Sequence, residues 1–567
     1  MAVVNFSIKL LASLGVDVQK LDQFVDLLGM EVEKKEGDEI YVDITPNRPD
    51  LLDLFGFARA MRYMDLRLTP KSSTYKLKNS PEAEVIVSES VKRVRPVIAA
   101  MVVKGADLQE GRLKHIINFM EKFSDTYGRH RRKVAMGLHN LDAVEPPFYY
   151  DAKNEGSFVP LGGKSPMEFD RILKEHSKGV NYGYTLGKSE LYPVLSDSKG
   201  RIMSLIPIIN SELTRVTEST RNLLVDITGT SESAVGSALD MMACSFIDAG
   251  FEVYPCIIKR NGAETTVPQL NYKELKVRPR EVWRTLGTTI EPGRIITMLN
   301  KLGYDGALYG RYVLAYVPPY RVDVLNQQDI IEDIAIGYGY NSIAPTPVVG
   351  TSIGIADEHT EFCNKLSLLL VGMGFTEAMN NYLTNEDTNS RKMLRRLDSK
   401  SIVRLAYSKV ETFTMLRTSI LPCLLENLSG SSNEAMPQKL FETGSVFGIE
   451  GKKPFESGRI AFVSEHSKAN FAEVKSYIEA LLGTLGIDYK LAESNDASFI
   501  KGRCAAIITE GNDAIGVFGE LAPEVLDNFR LEEPVVGAEI NIDPLIALAS
   551  AGDKISNQDQ ARGQGGK

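Results

Sequence analysis

Cysteine is scarce in this sequence, tryptophan nearly absent, and long apolar runs are missing altogether. The 567 residues hold five cysteines, Cys244, Cys256, Cys363, Cys423 and Cys504. Their number is odd and their spacing wide, and no CxxC pair or neighbouring His cluster accompanies them. That pattern excludes a disulfide framework and a structural zinc site and points to reduced thiols. No stretch approaches the roughly 20 apolar residues that span a bilayer. The N-terminal MAVVNFSIKLLASLG lacks the basic start, the long apolar run and the small-residue cleavage site of a secretion signal. A cytoplasmic chain is expected. Basic charge is in deficit too: 65 Lys and Arg against 74 Asp and Glu leave a formal charge of −9. The mean field repels phosphate, so any contact with nucleic acid has to come from local basic patches.

What is present is the composition of an ordinary globular protein, 43% hydrophobic and 25% charged, in which core capacity is not in doubt. The length implies roughly three to five domains. Residues 1–90 read as a small α+β domain: the helical LDQFVDLLGMEVE, the strand EIYVDIT, the turn TPNRPDL and the helix LLDLFGFARAMRYM, with Asp50 placed to cap that helix. Over 91–265, strands (RPVIAAMVVKGA, GRIMSLIPII, NLLVDITG, FEVYPCIIK) alternate with helices such as SAVGSALDMMACSFIDAG, which predicts a mixed α/β domain long enough to hold a pocket. Residues 266–345 form a smaller α/β domain, with Gly303 and Gly310 as turn residues. A further α+β domain is expected over 350–548, and a polar, mobile tail over 549–567. The fold class is therefore multidomain α+β.

One stretch concentrates charge. In YRVDVLNQQDIIEDIAIGYGYN, residues 320–341, Asp329, Glu332 and Asp333 stand at i, i+3 and i+4 on one helix face, with Asp323 just upstream and Ile330, Ile331, Ile334 and Tyr338 on the apolar side. Asp329 followed by Glu332 fits a capping box, and first-turn acids suit the helix dipole. Hard oxygen donors at this spacing also suit Mg²⁺. Four acids so close require a cation, either a metal or a basic surface of another chain.

This stretch is similar to the PxxRxDIxxxxDLIEEVARxYGY signature of the β subunits of phenylalanine–tRNA ligases. TPNRPDLLDLFGFARAMR resembles that family's N-terminal segment, and PVLSDSKGRIMSLIPIINSELTRVTESTRNLLVDITGT its editing domain. MLRTSILPCLLENL, QKLFETGSVF and GELAPEVLDNFRLEEPVVGAEI resemble its C-terminal catalytic-like domain. The likeness runs nearly end to end and in order. The layout resembles the archaeal type, without the inserted oligonucleotide-binding-type domain or the appended RNA-binding domain of bacterial forms.

The resemblance carries definite implications. The 91–265 region would edit mis-charged tRNA, 266–345 would be winged-helix or DNA-binding-like, and 350–548 would be a class II synthetase-like antiparallel sheet. Mg²⁺ would lie at the boundary with an α subunit, held from this side by Asp323, Asp329, Glu332 and Asp333, the last being shorter by one methylene than the usual Glu. The assembly would be an (αβ)₂ heterotetramer acting on tRNA(Phe), with ATP used by the complex. Class II activation needs one Arg on the ATP phosphate and another at the adenine. FETGSVFGIE lacks such an Arg, and Arg417 reads as a structural salt bridge or an interface contact, so activation is expected on the α chain.

For editing, the resemblance points to Leu195, Ser204, Asp226 and Thr228. A polar pocket can tell a tyrosyl hydroxyl from the ring that lacks it. From the residues alone, Asp226 and Thr228 read as the end of a strand shaping the turn at Gly229, and Ser204 as an exposed strand residue. His139, in GLHNLDAVEPPFYY, reads as a structural residue beside a turn and not as a base. The competing functional expectation is a non-catalytic RNA-associated scaffold with a vestigial pocket.

Overall fold

The computed structural model describes residues 2–549 apart from 188, 349, 351, 409, 411 and 510–513. The polar tail lies, from residue 550 on, outside the described residues. Among the described residues no helix is long and apolar enough to cross a membrane. The chain divides into two compact units, Met1–Pro347 and Val348–Lys567.

The described residues of the first unit form three larger sheets and one two-stranded pair, Ser157–Phe158 with Met167–Glu168. Strand Ala2–Ser7 alternates buried and half-buried positions and pairs antiparallel with Glu39–Ile44, which in turn pairs with Glu31–Glu36. The helix Leu54–Met64 follows a short 3₁₀ turn, Pro49–Leu52. Its cap is Asp53, which accepts from the Gly56 amide, and not Asp50 as the sequence suggested. The extra turn moves the helix start, and Asp50 is instead buried between Arg48 at 2.9 Å and Arg59 at 3.1 Å. Arg59 also reaches Asp248 at 2.5 Å, pinning this region to the helix Glu232–Asp248.

The second sheet has ten strands and begins earlier than residue 90, since Ala83–Val87 belongs to it. One edge is built by Tyr192–Ser196, Ile202–Leu205 and Ile209–Asn210. At the other edge Leu223–Gly229 lies between Val97–Lys104 and Val134–Asn140, antiparallel to both. Every residue of Leu223–Gly229 is buried. The two edges of the sheet meet, because the Asn210 side chain donates to the Leu138 carbonyl at 3.1 Å. The third sheet, Lys273–Val277, Tyr312–Val317 and Asp305–Tyr309, carries the helices Pro279–Leu286, Pro292–Lys301 and Gln327–Tyr338. Gly303 and Gly310 turn there at positive φ.

A single buried cluster joins the three regions: Val4 and Phe6, Met101 and Val225, and Ile330 and Ile334 are all members. Periodicity marked Ile330 and Ile334 as an apolar stripe, and the structure shows that they are buried in the same cluster as Val4, Phe6, Met101 and Val225.

In the second unit a seven-stranded sheet runs Thr376–Glu377, Gln438–Glu450, Lys453–Glu465, Val535–Asn541, Ala514–Leu521, Phe499–Ile508, Lys490–Glu493. All neighbours are antiparallel except the first pair. Alternate residues of one strand serve opposite faces. Ile460 and Phe462 pack with the helices Glu358–Gly372 and Phe471–Thr484, while Ala461 and Val463 pack with Leu421–Gly430 and Pro523–Phe529.

Candidate functional site

Where the two edges of the large sheet meet, they enclose a cavity of about 580 Å³ lined by Ser204, Asn210, Thr214, Asp226 and Thr228 among others. Asp226 and Thr228 stand two apart on one strand and so share a face. Opposite Asp226 is Gly137, and a Cβ there would lie 2.0 Å from Asp226 Oδ1, so the carboxylate occupies the space that a side chain would fill. Three of the four residues singled out by resemblance, Ser204, Asp226 and Thr228, therefore line one cavity. Leu195 does not. It pairs with Ser204 across the sheet but is buried in an apolar cluster with Tyr150 and Leu224.

Each polar residue is held from behind. Arg95 donates from Nε to Thr228 Oγ1 at 3.0 Å and from Nη2 to the Thr228 carbonyl at 2.7 Å. Burial lowers the Arg95 pKa to about 10, against the opposing pull of Tyr150 and Asp226, so the guanidinium stays charged at neutral pH. Ser204 Oγ lies 3.1 Å from Asn210 Oδ1. Asp226 is held by a residue that sequence reasoning set aside. His139, fully buried, places Nε2 2.9 Å from Asp226 Oδ1 and Nδ1 2.8 Å from Thr214 Oγ1. Its partners are 87 and 75 residues away, and only alternation along GLHN hinted that it faces inward. The cavity wall carries basic groups as well: Arg131, which donates to the carbonyls of Pro207 and Ile208, Lys178 paired with Glu121, and Arg215 paired with Glu212. Lys178 and Arg215 are offset by their carboxylate partners, so among the described residues the positive charge of this wall rests on Arg131.

The acidic stretch is arranged differently from the expected ligand set. Asn326 and Asp329 form a capping box, and Asp329 Oδ2 accepts from the amides of Leu325 and Asn326 at 2.7 and 2.8 Å. Asp323 is bound in bidentate fashion by Arg321 at 2.9 and 2.8 Å, and the same guanidinium reaches Asp333 at 2.6 Å. Asp333, expected on the exposed face, is buried beside Ile330 and Ile334 and also accepts from the Tyr304 hydroxyl. Glu332 is exposed. Among the described residues no three acidic, His or Cys groups are placed to hold a metal ion. The buried atom of this network without a partner is Arg321 Nη1, a donor, which calls for an acceptor and not for a cation. On this geometry the four carboxylates do not fit Mg²⁺ as a set, because Arg321 already neutralises two of them.

Comparison with known proteins covers most of the chain. Residues 344–542 match the model of the phenylalanyl-tRNA synthetase beta chain CLM domain, and 275–340 match that of the tRNA synthetase B5 domain. A phenylalanine–tRNA ligase beta subunit from Methanocaldococcus jannaschii is 36% identical over 92% of this chain and 96% of its own length. The chain belongs to the phenylalanine–tRNA ligase beta-subunit family. The family's Archaeoglobus fulgidus member is also 36% identical, over 93% of this chain and 95% of its own. An N-terminal fragment of the Pyrococcus horikoshii phenylalanyl-tRNA synthetase beta subunit superposes with a TM-score of 0.57 at 31% identity, covering 59% of this chain and 99% of the fragment. The B5 match contains the acidic stretch. The CLM match contains Arg417, which is fully buried, pairs with Glu442 at 2.6 Å, donates to the Ser445 carbonyl and lies under the Tyr382 ring, a structural salt bridge as expected.

Proposed function

We propose that this chain is the β subunit of a phenylalanine–tRNA ligase, and that its large-sheet cavity hydrolyses Tyr-tRNA(Phe) made in error. The observation that carries the reading is the placement of the Asp226 carboxylate and the Thr228 hydroxyl side by side on one cavity wall, each fixed by a buried partner. A tyrosyl hydroxyl both donates and accepts, and a fixed acceptor beside a fixed hydroxyl can serve it in both ways. A phenylalanyl ring would leave the carboxylate unsatisfied, which is how a polar pocket rejects a ligand lacking the group. Arg131 on the wall is placed to meet a phosphate next to the charged 3′ end.

In this reading activation with ATP belongs to an α chain in an (αβ)₂ assembly in the cytoplasm. The second unit, as a class II-like sheet, contributes scaffold and interface. Support comes from Arg417, which is paired with Glu442 and shut away from solvent. Mg²⁺ binding through Asp323, Asp329, Glu332 and Asp333 becomes a demand on the assembled complex, since Arg321 would have to release two of the four. The test is deacylation of Tyr-tRNA(Phe) by the αβ complex. Asp226→Ala and Thr228→Ala should each slow it by about tenfold or more, the worth of one hydrogen bond to a charged or fixed group. Wild-type rates in both would remove the pocket assignment and leave the scaffold alternative.

A further inference from the structure

We infer that His139 is the positioning residue that makes Asp226 a hydrogen-bond acceptor toward the cavity, and thereby sets the choice between tyrosyl and phenylalanyl esters; the inference rests on the editing reading above.

The direction of these hydrogen bonds follows from the protons available. A neutral imidazole has one N–H and one bare nitrogen. An ionised carboxylate only accepts, so the nitrogen facing Asp226 Oδ1 at 2.9 Å is the protonated one. That leaves Nδ1 as an acceptor, and its neighbour at 2.8 Å is the Thr214 hydroxyl, which can donate. Thr214 has an alternative acceptor in the Ser211 carbonyl, but at 3.3 Å it is the weaker one. The chain of donors thus runs in one direction, from Thr214 to His139 to Asp226. It satisfies Oδ1 and leaves Oδ2, which has no hydrogen bond among the described residues, as the oxygen available to a ligand.

The surroundings keep this arrangement single-valued. His139 is fully buried, so water does not compete for either nitrogen. Gly137 leaves room for the carboxylate in one place, 2.0 Å from where its own Cβ would be. Thr228, two residues on, already accepts from Arg95, so its own hydrogen is left for another acceptor. A phenol hydroxyl placed between them donates to Asp226 and accepts from Thr228. Without the imidazole, Asp226 would lose the partner that fixes its orientation, and selectivity would fall.

The experiment measures kcat/KM for hydrolysis of Tyr-tRNA(Phe) and of Phe-tRNA(Phe) by the purified αβ complex, with phenylalanine charging by the same preparations as the check that the complex is intact. His139→Leu fills the space without a donor, whereas the amide of His139→Gln can reach the position of Nε2. The Tyr-over-Phe ratio should fall by about tenfold or more in His139→Leu and stay within about threefold of wild type in His139→Gln. Thr214→Val, which removes the donor to Nδ1 at nearly constant volume, should lower the ratio by a smaller factor and serves if His139→Leu does not fold. An unchanged ratio in His139→Leu or Thr214→Val, or an equal loss in His139→Leu and His139→Gln, overturns the inference. Asp226→Ala is run alongside. If it too leaves Tyr-tRNA(Phe) hydrolysis intact, the editing reading has failed; if it abolishes hydrolysis while His139→Leu keeps the ratio, only the role of His139 has failed.

Discussion

Replacing Arg321 by Met keeps the length and apolar body of the side chain and removes only its charge and donors. The structure specifies what is lost: two bonds to Asp323 at 2.9 and 2.8 Å, one to Asp333 at 2.6 Å, and a guanidinium 5.1 Å from the Tyr304 ring. The Arg321 side chain is 2% exposed and that of Asp333 7%, so water cannot take over the abandoned carboxylate. Removing one partner of such a buried pair costs about 3–5 kcal/mol. For a unit of this size, at ~2 °C per kcal/mol, the melting temperature should fall by about 6–10 °C. Calorimetry measures the shift, and hydrogen exchange over Gln327–Tyr338 assigns it to the first unit, because the two units need not melt together. Chelation of divalent ions should leave the wild-type melting temperature where it was. A shift under about 2 °C on substitution, or a wild-type loss on chelation as large as the loss on substitution, would mean that a bound ion and not Arg321 balances these acids.

Two further outcomes follow from other contacts. Gly137→Ala drives a methyl into Asp226 Oδ1, 2.0 Å away, and a misplacement of about 1 Å in a site can cost about 10²-fold; Tyr-tRNA(Phe) hydrolysis should drop on that scale while charging persists, and unaltered hydrolysis would show that the position of Asp226 is immaterial. His115 is buried against Phe6, and burial, reinforced by Lys114 and opposed by Glu39, holds its pKa below the ordinary histidine value. The unfolded chain therefore binds the proton first as pH falls, so this group costs nothing at neutral pH and destabilises the first unit progressively below pH ~6.5; His115→Gln should flatten melting temperature between pH 7.5 and 5.5, and equal slopes in the two proteins would refute it.

Much of the fold could be read from local pattern. The helix Glu232–Asp248 and the strands Val97–Lys104, Leu223–Gly229 and Glu252–Arg260 lie where periodicity put them. Capping at the start of Gln327–Tyr338 was legible only in part: the pattern suggested Asp329 with Glu332, whereas the box is made by Asn326 as cap with Asp329 as its third residue. What escaped were partnerships made by folding. Asp50 looked like a cap because nothing in its vicinity announces Arg59, and Asp333 looked exposed because its position on the helix rim says nothing of Tyr304. Arg321 lies in the very stretch that drew attention, yet its reach to Asp333 depends on the turn between strand and helix. His139 shows the same limit at the pocket: alternation tells which way a side chain points, and only the third dimension says what it meets.

The buried cluster that runs from Val4 through Val225 to Ile334 has a practical consequence. Cutting the first unit at the seams that its sequence advertises, near residues 90 and 265, would tear apart one interior and leave raw apolar faces on the pieces. The strand that carries Asp226 and Thr228 is thus backed by the same interior that holds the helix Gln327–Tyr338.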